Sequence, residues 1–277
     1  MTAVLITGCS SGIGRATALR LARRPELTVY ATARRPDTLT GLAAAGCRTL
    51  ALDVTDEESM VAAVAAVEKA HSAVGVLVNN AGYGEYGTVE EVPLARVRAQ
   101  FETNVYGLAR LCQLVLPGMR AAGGGRIVNV SSMGGRLVFP GGGFYHASKY
   151  AVEALSDALR FEVAPFGVQV SIVEPGLIRT GFGGTAAGTL AHTVAGANGT
   201  GPYRRLNRTI DAQMTQLYQS RLLAAEPERV ARVIERAVTA RRPRRRYVVT
   251  AAARTLVHMR RLLGGGTFDT FLRAQFR

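Results

Sequence analysis

Tyr145 and Lys149 stand four residues apart in the stretch FYHASKYAVEAL, residues 144–155. On a helix that spacing sets both side chains on one face. A lysine cation held near a phenol favours the phenolate and lowers the tyrosine pKa from about 10 toward the working pH, which makes the tyrosine a usable general acid and base. The choice of lysine is itself informative, because of the 34 basic residues only Lys69 and Lys149 are lysine. An arginine would supply charge, but its wide planar fork does not imitate a compact ammonium that reaches ribose hydroxyls and a relay water together. Taken alone, the spacing fits a surface i,i+4 contact equally well.

A second constellation lies at the start of the chain. A short apolar run, TAVLI, leads into TGCSSGIGRATALRLA, with Gly8, Gly12 and Gly14 between a strand pattern and a helix pattern. There the backbone must turn sharply and approach a pyrophosphate, whose charge the helix N-terminus stabilises. The spacing, T-G-x-x-x-G-x-G, departs from G-x-G-x-x-G but opens the first strand–helix–strand unit of the chain. The next strand pattern, LTVYAT, ends in ARRPD, with Arg34 and Arg35 and no acid before Asp37. A carboxylate at that place would hold the ribose 2′-hydroxyl of NAD and repel a 2′-phosphate, whereas a guanidinium forks onto the phosphate. The expected cofactor is therefore NADP(H), with Arg34 as its first candidate contact.

Positioning these residues is the task of an alternating series. Seven short runs rich in branched apolar residues, AVLIT, LTVYAT, CRTLALDV, GVLVNN, GRIVNVSS, VQVSIVEPG and RYVVT, are separated by segments with helical spacing. Residues 56–71 are one such segment, with Met60, Val61, Val64 and Val67 in register, and the segment after Tyr145 repeats Ala147, Ala151, Ala154, Leu155, Ala158 and Leu159. Such a series predicts an α/β fold: a Rossmann-type doubly wound parallel sheet with helices on both faces. No linker or internal repeat divides residues 1–277, so one domain is expected.

Composition bounds the function. The chain has 277 residues, 48% hydrophobic, with mean hydropathy +0.11, enough to bury a full core. No run approaches membrane-spanning length and no leader pattern opens the chain, so a soluble, unprocessed protein is expected. Cys9, Cys47 and Cys112 lack metal-ligand spacing and predict free thiols in a reducing compartment, the cytoplasm, with no metal site. The net charge of +14 sits mostly in the last 77 residues, densest at Arg241 to Arg246. That run reads as a solvated turn before RYVVT; no recognition motif accompanies it, and nucleic acid is not an expected partner.

Joined in order, TGCSSGIG, NNAG (residues 79–82), Asn104 in TNVYG, IVNVSS ending at Ser132, YHASK and EPG (residues 174–176) resemble the short-chain dehydrogenase/reductase family across nearly the whole chain. The branch most similar is that of type 1 17β-hydroxysteroid dehydrogenase and its retinol-dehydrogenase-like and bacterial relatives. The resemblance implies catalytic roles for Asn104, Ser132, Tyr145 and Lys149. Tyr145 would pass a proton to the substrate oxygen as hydride leaves the nicotinamide, and Ser132 would hydrogen-bond that oxygen. Lys149 would bind the nicotinamide ribose, and the backbone carbonyl of Asn104 would hold the water linking Lys149 to solvent. Ser131 is the rival of Ser132, separated from it only by family spacing. On the cofactor, Ser10, Ser11 and Ile13 would complete the glycine turn, Asp53 and Val54 would touch adenine, and Asn80, Ala81 and Gly82 would line the adenosine side. Pro175 and Gly176 would lead to Ile178 and Thr180, which hold the carboxamide. A homodimer through the Tyr145 helix is implied, with a tetramer as the alternative.

The substrate side is read from the remainder. Residues 181–201 hold seven glycines without clear period, and a stretch so long without structure predicts a lid that orders on ligand binding, within a substrate region of about 181–225. Helical spacing resumes near residues 203–223, where Leu206, Ile210, Met214 and Leu217 make an apolar wall for a bulky hydrophobic ketone or alcohol. The animal steroid enzymes of the branch grip the far end of their substrate with a histidine and a glutamate. Here no histidine lies between His192 and His258 and no glutamate follows Glu235, so steroid specificity is not implied. The extension 251–277 carries Leu256, Val257, Leu262 and Leu263 beside Arg254, Arg260 and Arg261; packing over the substrate mouth is expected in preference to a membrane surface. The expected function is an NADPH-dependent carbonyl reductase or the reverse alcohol dehydrogenase. The alternative is a non-catalytic NADP(H)-binding sensor, which would need the glycine turn without the chemistry.

Overall fold

In a computed structural model, describing residues 1–196, 201–220 and 223–276, all seven apolar runs become strands of one parallel sheet. They are β1 (Thr2–Ile6), β2 (Leu27–Ala33), β3 (Arg48–Ala51), β4 (Val76–Asn79), β5 (Gly125–Val130), β6 (Val168–Glu174) and β7 (Arg246–Val248), in the order β3-β2-β1-β4-β5-β6-β7. Parallel neighbours need long crossovers, and helices supply them: α1 (Gly12–Leu21), the short α2 (Thr40–Ala43), α3 (Glu57–His71), α4 (Leu94–Phe101), α5 (Gly107–Ala121), α6 (Gly143–Val163) and α9 (Pro227–Thr239). Between the last two come α7 (Gly181–Gly196) and α8 (Arg204–Gln219), and α10 (Ala251–Gln275) follows β7.

Alternation along the strands builds two cores. Val4, Ile6, Val29, Val76, Val78 and Val128 face α1 and α9, where Leu21, Val230 and Ile234 meet them. Leu5, Tyr30, Leu77, Ile127 and Val170 face the other way onto Val64 and Val67 of α3, Leu111 and Val115 of α5, and Val152 of α6. Both faces of the sheet are covered, so strands with side chains on both sides remain apolar throughout. The three cysteines are free and buried. Among the described residues, no helix is long and apolar enough to cross a membrane.

The order places a switch point. From β1 the chain builds outward through β2 and β3, then returns to lay β4 on the other side of β1. Crossovers on the two sides leave on opposite faces, and a crevice opens beyond the carboxyl ends of β1 and β4. Thr7 and Gly8 follow β1 there, and Asn80 follows β4.

The glycine-rich stretch corrects the expectation of a segment without structure: residues 181–196 form helix α7, and residues 197–200 lie outside the described residues. Its small residues serve close packing. Thr189 Oγ1 donates to the Gly84 carbonyl (3.1 Å) and accepts from the Tyr86 amide (3.1 Å), and Thr193 Oγ1 donates to the Tyr86 carbonyl (3.2 Å). A side chain at Gly183 would meet the Tyr218 ring of α8 at 3.0 Å. Gly183 lets α7 lie against α8, and Thr189 and Thr193 tie it to the loop after β4.

Candidate active site

The glycine turn is built as the sequence predicts. Gly12 takes φ of +54°, a left-handed conformation that side chains rarely adopt, and opens α1 behind Ser11. A Cβ on Gly14 would overlap the Gly8 carbonyl and sit 2.6 Å from Asn80 Nδ2. Asn80 is the brace of this turn: its Nδ2 donates to the Thr7 (2.9 Å) and Gly8 (3.1 Å) carbonyls, and its amide donates to Thr7 Oγ1 (2.9 Å).

Above the turn lies a cavity of about 1140 Å³. The predicted Gly8, Ser10, Ser11, Gly12, Ile13 and Arg34 line one end, and Asp53, Val54, Asn80, Ala81 and Gly82 continue it. Ser131, Ser132, Tyr145 and Lys149 form its floor, with Pro175, Gly176, Ile178 and Thr180 opposite. Three predicted residues stay off the wall. Gly14 shapes the turn from behind, Arg35 points away into solvent, and Asn104 sits buried beneath Gly82.

Helix α6 delivers Tyr145 and Lys149 from one face, both buried. The Ser132 hydroxyl hydrogen-bonds the Tyr145 phenol and also accepts from the Gly134 amide (3.0 Å). Both rival serines line the cavity; Ser132 is the one beside the phenol, and the Ser131 side chain lies near Glu153. Lys149 Nζ donates to the Val130 carbonyl (3.0 Å). Asn104 lies in a π-helical turn, Glu102–Tyr106, a local widening that recurs at functional sites. Its Nδ2 donates to the Tyr83 carbonyl (2.8 Å) and to Ser148 Oγ (3.0 Å), and its Oδ1 accepts from the Tyr83 amide (3.0 Å).

The electrostatics correct one expectation. Burial pushes the Tyr145 phenol up to about 12, opposed only by the Ser132 hydrogen bond, so the phenol is not lowered toward neutrality. Burial also pushes the Lys149 ammonium down to about 8, with Glu153 opposing. In each case burial disfavours the charged form, and over Tyr145 an aromatic lid contributes to it.

That lid is aromatic and was not anticipated. The Tyr86 ring stacks on Tyr145 (centroids 5.7 Å, planes 28° apart), and Phe182 of α7 packs on it at 5.4 Å. His146, the next residue on α6, is buried and held neutral, its pKa lowered to about 4 by burial. Its Nε2 accepts from the Phe139 amide (3.1 Å), leaving Nδ1–H to donate to the Gly134 carbonyl (3.1 Å). It therefore pins the loop that presents Ser132. No spacing marks these residues, since they converge from separate elements.

Beyond the aromatic lid the cavity is walled by Ile210, Met214 and Leu217 of α8 and by Leu256, Leu272 and Phe276 of the C-terminal segment. Leu206 does not reach it. Helix α10 kinks at Gly264 (φ 69°), which folds its second half back over the mouth, and packing there is what the sequence predicts.

The family described as short chain dehydrogenase matches residues 2–189. Among curated relatives, the oxidoreductase YbbO of Escherichia coli is 36% identical over 270 residues, spanning 97% of this chain and 93% of its own. Human 17-beta-hydroxysteroid dehydrogenase type 1 is 37% identical over 278 residues, 94% of this chain and 80% of its own. The 3-ketodihydrosphingosine reductase of Bacteroides thetaiotaomicron is 43% identical over 179 residues, 65% of each chain. A solved short-chain dehydrogenase from Streptomyces avermitilis superposes with TM-score 0.78 at 36% identity, covering 99% of this chain and 94% of that one. One from Burkholderia phymatum, in complex with NAD, gives 0.78 at 27% identity over 94% and 92% of the two chains. A metagenomic short-chain oxidoreductase in complex with NADP gives 0.68 at 26% over 90% and 96%.

Proposed function

Because this chain belongs to the short-chain dehydrogenase/reductase family, we propose that it is an NADPH-dependent carbonyl reductase, or the reverse alcohol dehydrogenase, acting on a bulky hydrophobic ketone or secondary alcohol. The observation that carries this reading is the Tyr145 phenol, hydrogen-bonded to Ser132 where the glycine-turn half of the cavity meets the apolar half.

The cradle fits a dinucleotide, since the space a Cβ would fill at Gly14 is occupied by the turn itself and the open side faces α1's N-terminus. Gly8, Ser10, Ser11 and Ile13 would hold the pyrophosphate side, and Asp53, Val54, Asn80, Ala81 and Gly82 the adenosine side. Ile178 and Thr180 would hold the carboxamide. The nicotinamide cofactor, when bound, supplies or takes the hydride. Tyr145 gives its proton to the substrate oxygen, and Ser132 donates a hydrogen bond to the same oxygen as charge develops there, the electrostatic contribution usually largest in such sites. Lys149 would hold the ribose hydroxyls and return a proton to the phenol, and the carbonyl of Asn104 would anchor the water through which that proton is replaced. A phenol buried to a pKa of about 12 holds its proton firmly at neutral pH, which suits the reduction direction.

NADP(H) preference rests on Arg34, exposed at the cavity edge one residue past the end of β2, with no carboxylate before Asp37. Relatives of known structure hold NAD in one case and NADP in another, and the reading for NADP(H) is therefore carried by Arg34 alone. The hydrophobic substrate rests on the wall of α8 and α10, and two relatives are named for a ketone reductase and a hydroxysteroid dehydrogenase. A homodimer through α6 fits the outward stripe of that helix, where Leu155 and Phe161 are exposed.

NADPH oxidation against aromatic, polyketide-like, retinoid and steroid carbonyls tests the reading, with NADH as competing cofactor. Tyr145→Phe should cut kcat by about 10²–10⁴ with NADPH affinity kept. Cofactor binding without turnover on any carbonyl would favour the sensor, and an unchanged NADPH:NADH ratio of kcat/KM in Arg34→Ala would sink the cofactor assignment.

A further inference from the structure

Behind the floor of the site lies a buried cluster of charge that the proposed chemistry does not use. Glu153 stands one helical turn beyond Lys149 on α6, continuing the face that carries Tyr145 and Lys149, and is buried. Its Oε2 lies 3.1 Å from Arg246 Nε. The same nitrogen lies 3.2 Å from Oε1 of Glu174, which is fully buried at the end of β6, and Arg246 Nη2 pairs with Asp157. Arg136 reaches Glu174 Oε1 at 3.3 Å from the loop after β5. The Ser131 side chain faces Glu153 from the end of β5, next to the Val130 carbonyl that receives Lys149 Nζ. Tyr150 and, through it, Arg260 of α10 complete the charged and titratable surroundings.

Two carboxylates this close do not both ionise freely. Burial, with repulsion from Glu153 added, pushes Glu174 up to about 7, so Glu174 takes the proton near neutrality, while Arg246 pairs with Glu153 and favours its charged form. That charge looks across one turn at a lysine whose ammonium has lost its water.

We infer that Glu153 is a positioning residue: its carboxylate, fixed by Arg246, holds Lys149 in the ammonium form from one helical turn away. Arg246, the last residue of the arginine run that sequence reading leaves as a solvated turn, is thereby tied to the site. The inference rests on the proposed role of Lys149, but its test does not need turnover.

With only two lysines in the chain, labelling lysine with 13C at the ε-carbon gives two signals, and Lys149→Arg assigns them. Lys69 is exposed and serves as the internal reference. In Glu153→Gln, which retains an acceptor for Arg246, the Lys149 midpoint should fall by about one pH unit, the size expected for losing an opposite charge at this range. Glu153→Asp keeps the charge and should hold the midpoint near that of the wild type. An unchanged midpoint in Glu153→Gln overturns the inference, and so does an equal fall in both variants, which would mean packing and not charge. The alkaline limb of the kcat profile for NADPH oxidation should move with the midpoint. If the midpoint shifts as expected while the wild type reduces no carbonyl, the charge inference stands and the reductase reading falls.

Discussion

Replacing Arg246 by methionine removes the cation that bonds three carboxylates at once, Glu153, Asp157 and Glu174. Breaking one side of a buried ion pair costs about 3–5 kcal/mol. The lower end applies here, because Arg136 still reaches Glu174 and Arg160 still pairs with Asp157. The pH dependence carries the diagnostic information. Glu174 is raised from 4.5 to about 7 with its carboxylate wholly buried, so ionising it in the folded state costs roughly 3 kcal/mol. Glu153 is raised as well. Groups raised in this way contribute stability that is full below the unfolded value and lost as pH climbs through the folded value, which for Glu174 is the window from 4.5 to about 7. Taking Arg246 away raises both further, so the extra loss accumulates across that window and above it. Asp157 is lowered, its contribution is already complete above its unfolded value, and it adds equally at pH 5 and 8. Urea unfolding of Arg246→Met should therefore show a loss of about 3 kcal/mol at pH 8 and half of that or less at pH 5. At roughly 2 °C per kcal/mol, the melting temperature at pH 8 should drop by about 6 °C. A loss equal at the two pH values, or greater at pH 5, would refute the assignment of these groups.

Gly14→Ala should lower stability by about 1–3 kcal/mol and NADPH affinity at least about tenfold by fluorescence titration, because the backbone of Gly8 cannot move aside without losing the Asn80 bonds. Gly184→Ala, in an exposed helical position with nothing near its Cβ, should stabilise by about 0.5–1 kcal/mol, and an equal response of the two glycines would sink the argument. Phe182→Ala removes the ring over Tyr145 from the substrate side and should cut kcat/KM for a bulky ketone by about ten- to thirtyfold, leaving the NADPH dissociation constant unchanged.

The strands were legible because a parallel sheet covered on both faces demands uninterrupted apolar runs, and each of the seven runs became a strand. The glycine turn was legible for a related reason: φ of +54° at Gly12 and the close approach at Gly14 admit few other residues. Helix α6 reads differently. Of its apolar stripe, Ala147, Ala154, Leu155 and Ala158 face outward while Ala151 and Leu159 are half-buried, and the buried face carries Tyr145, Lys149, Glu153 and Ser156 with Val152. Periodicity finds the helix but places only part of its buried side, since the site requires polar groups in the interior. In α7 the error ran through glycine. The sequence suggested freedom, whereas Gly183 is small because Tyr218 lies against it. The aromatic lid escaped notice because Tyr86, Phe182 and Tyr218 meet only once α7 and α8 have folded over the cavity.

The two kinds of cation in this chain divide the work along physical lines. Arginine stands wherever several acceptors must be gripped in a fixed plane: Arg246 among three carboxylates, and Arg20 and Arg24 on the two oxygens of Glu235, where they tie α1 to α9. A guanidinium does that well because it remains charged at any working pH and its donors are splayed. The same permanence makes it useless for moving a proton. At position 149 burial has already brought an ammonium to about 8, within reach of neutrality, and the question for the fold is how to keep it from going lower. A carboxylate at direct contact would freeze the lysine into an ion pair and draw it away from the Val130 carbonyl and the cavity. A carboxylate one turn further along the helix, pinned by an arginine, supplies field without capture. The arginine-rich end of the chain and its solitary buried lysine are then parts of one arrangement, in which the fixed cation sets the anion and the anion sets the cation that titrates.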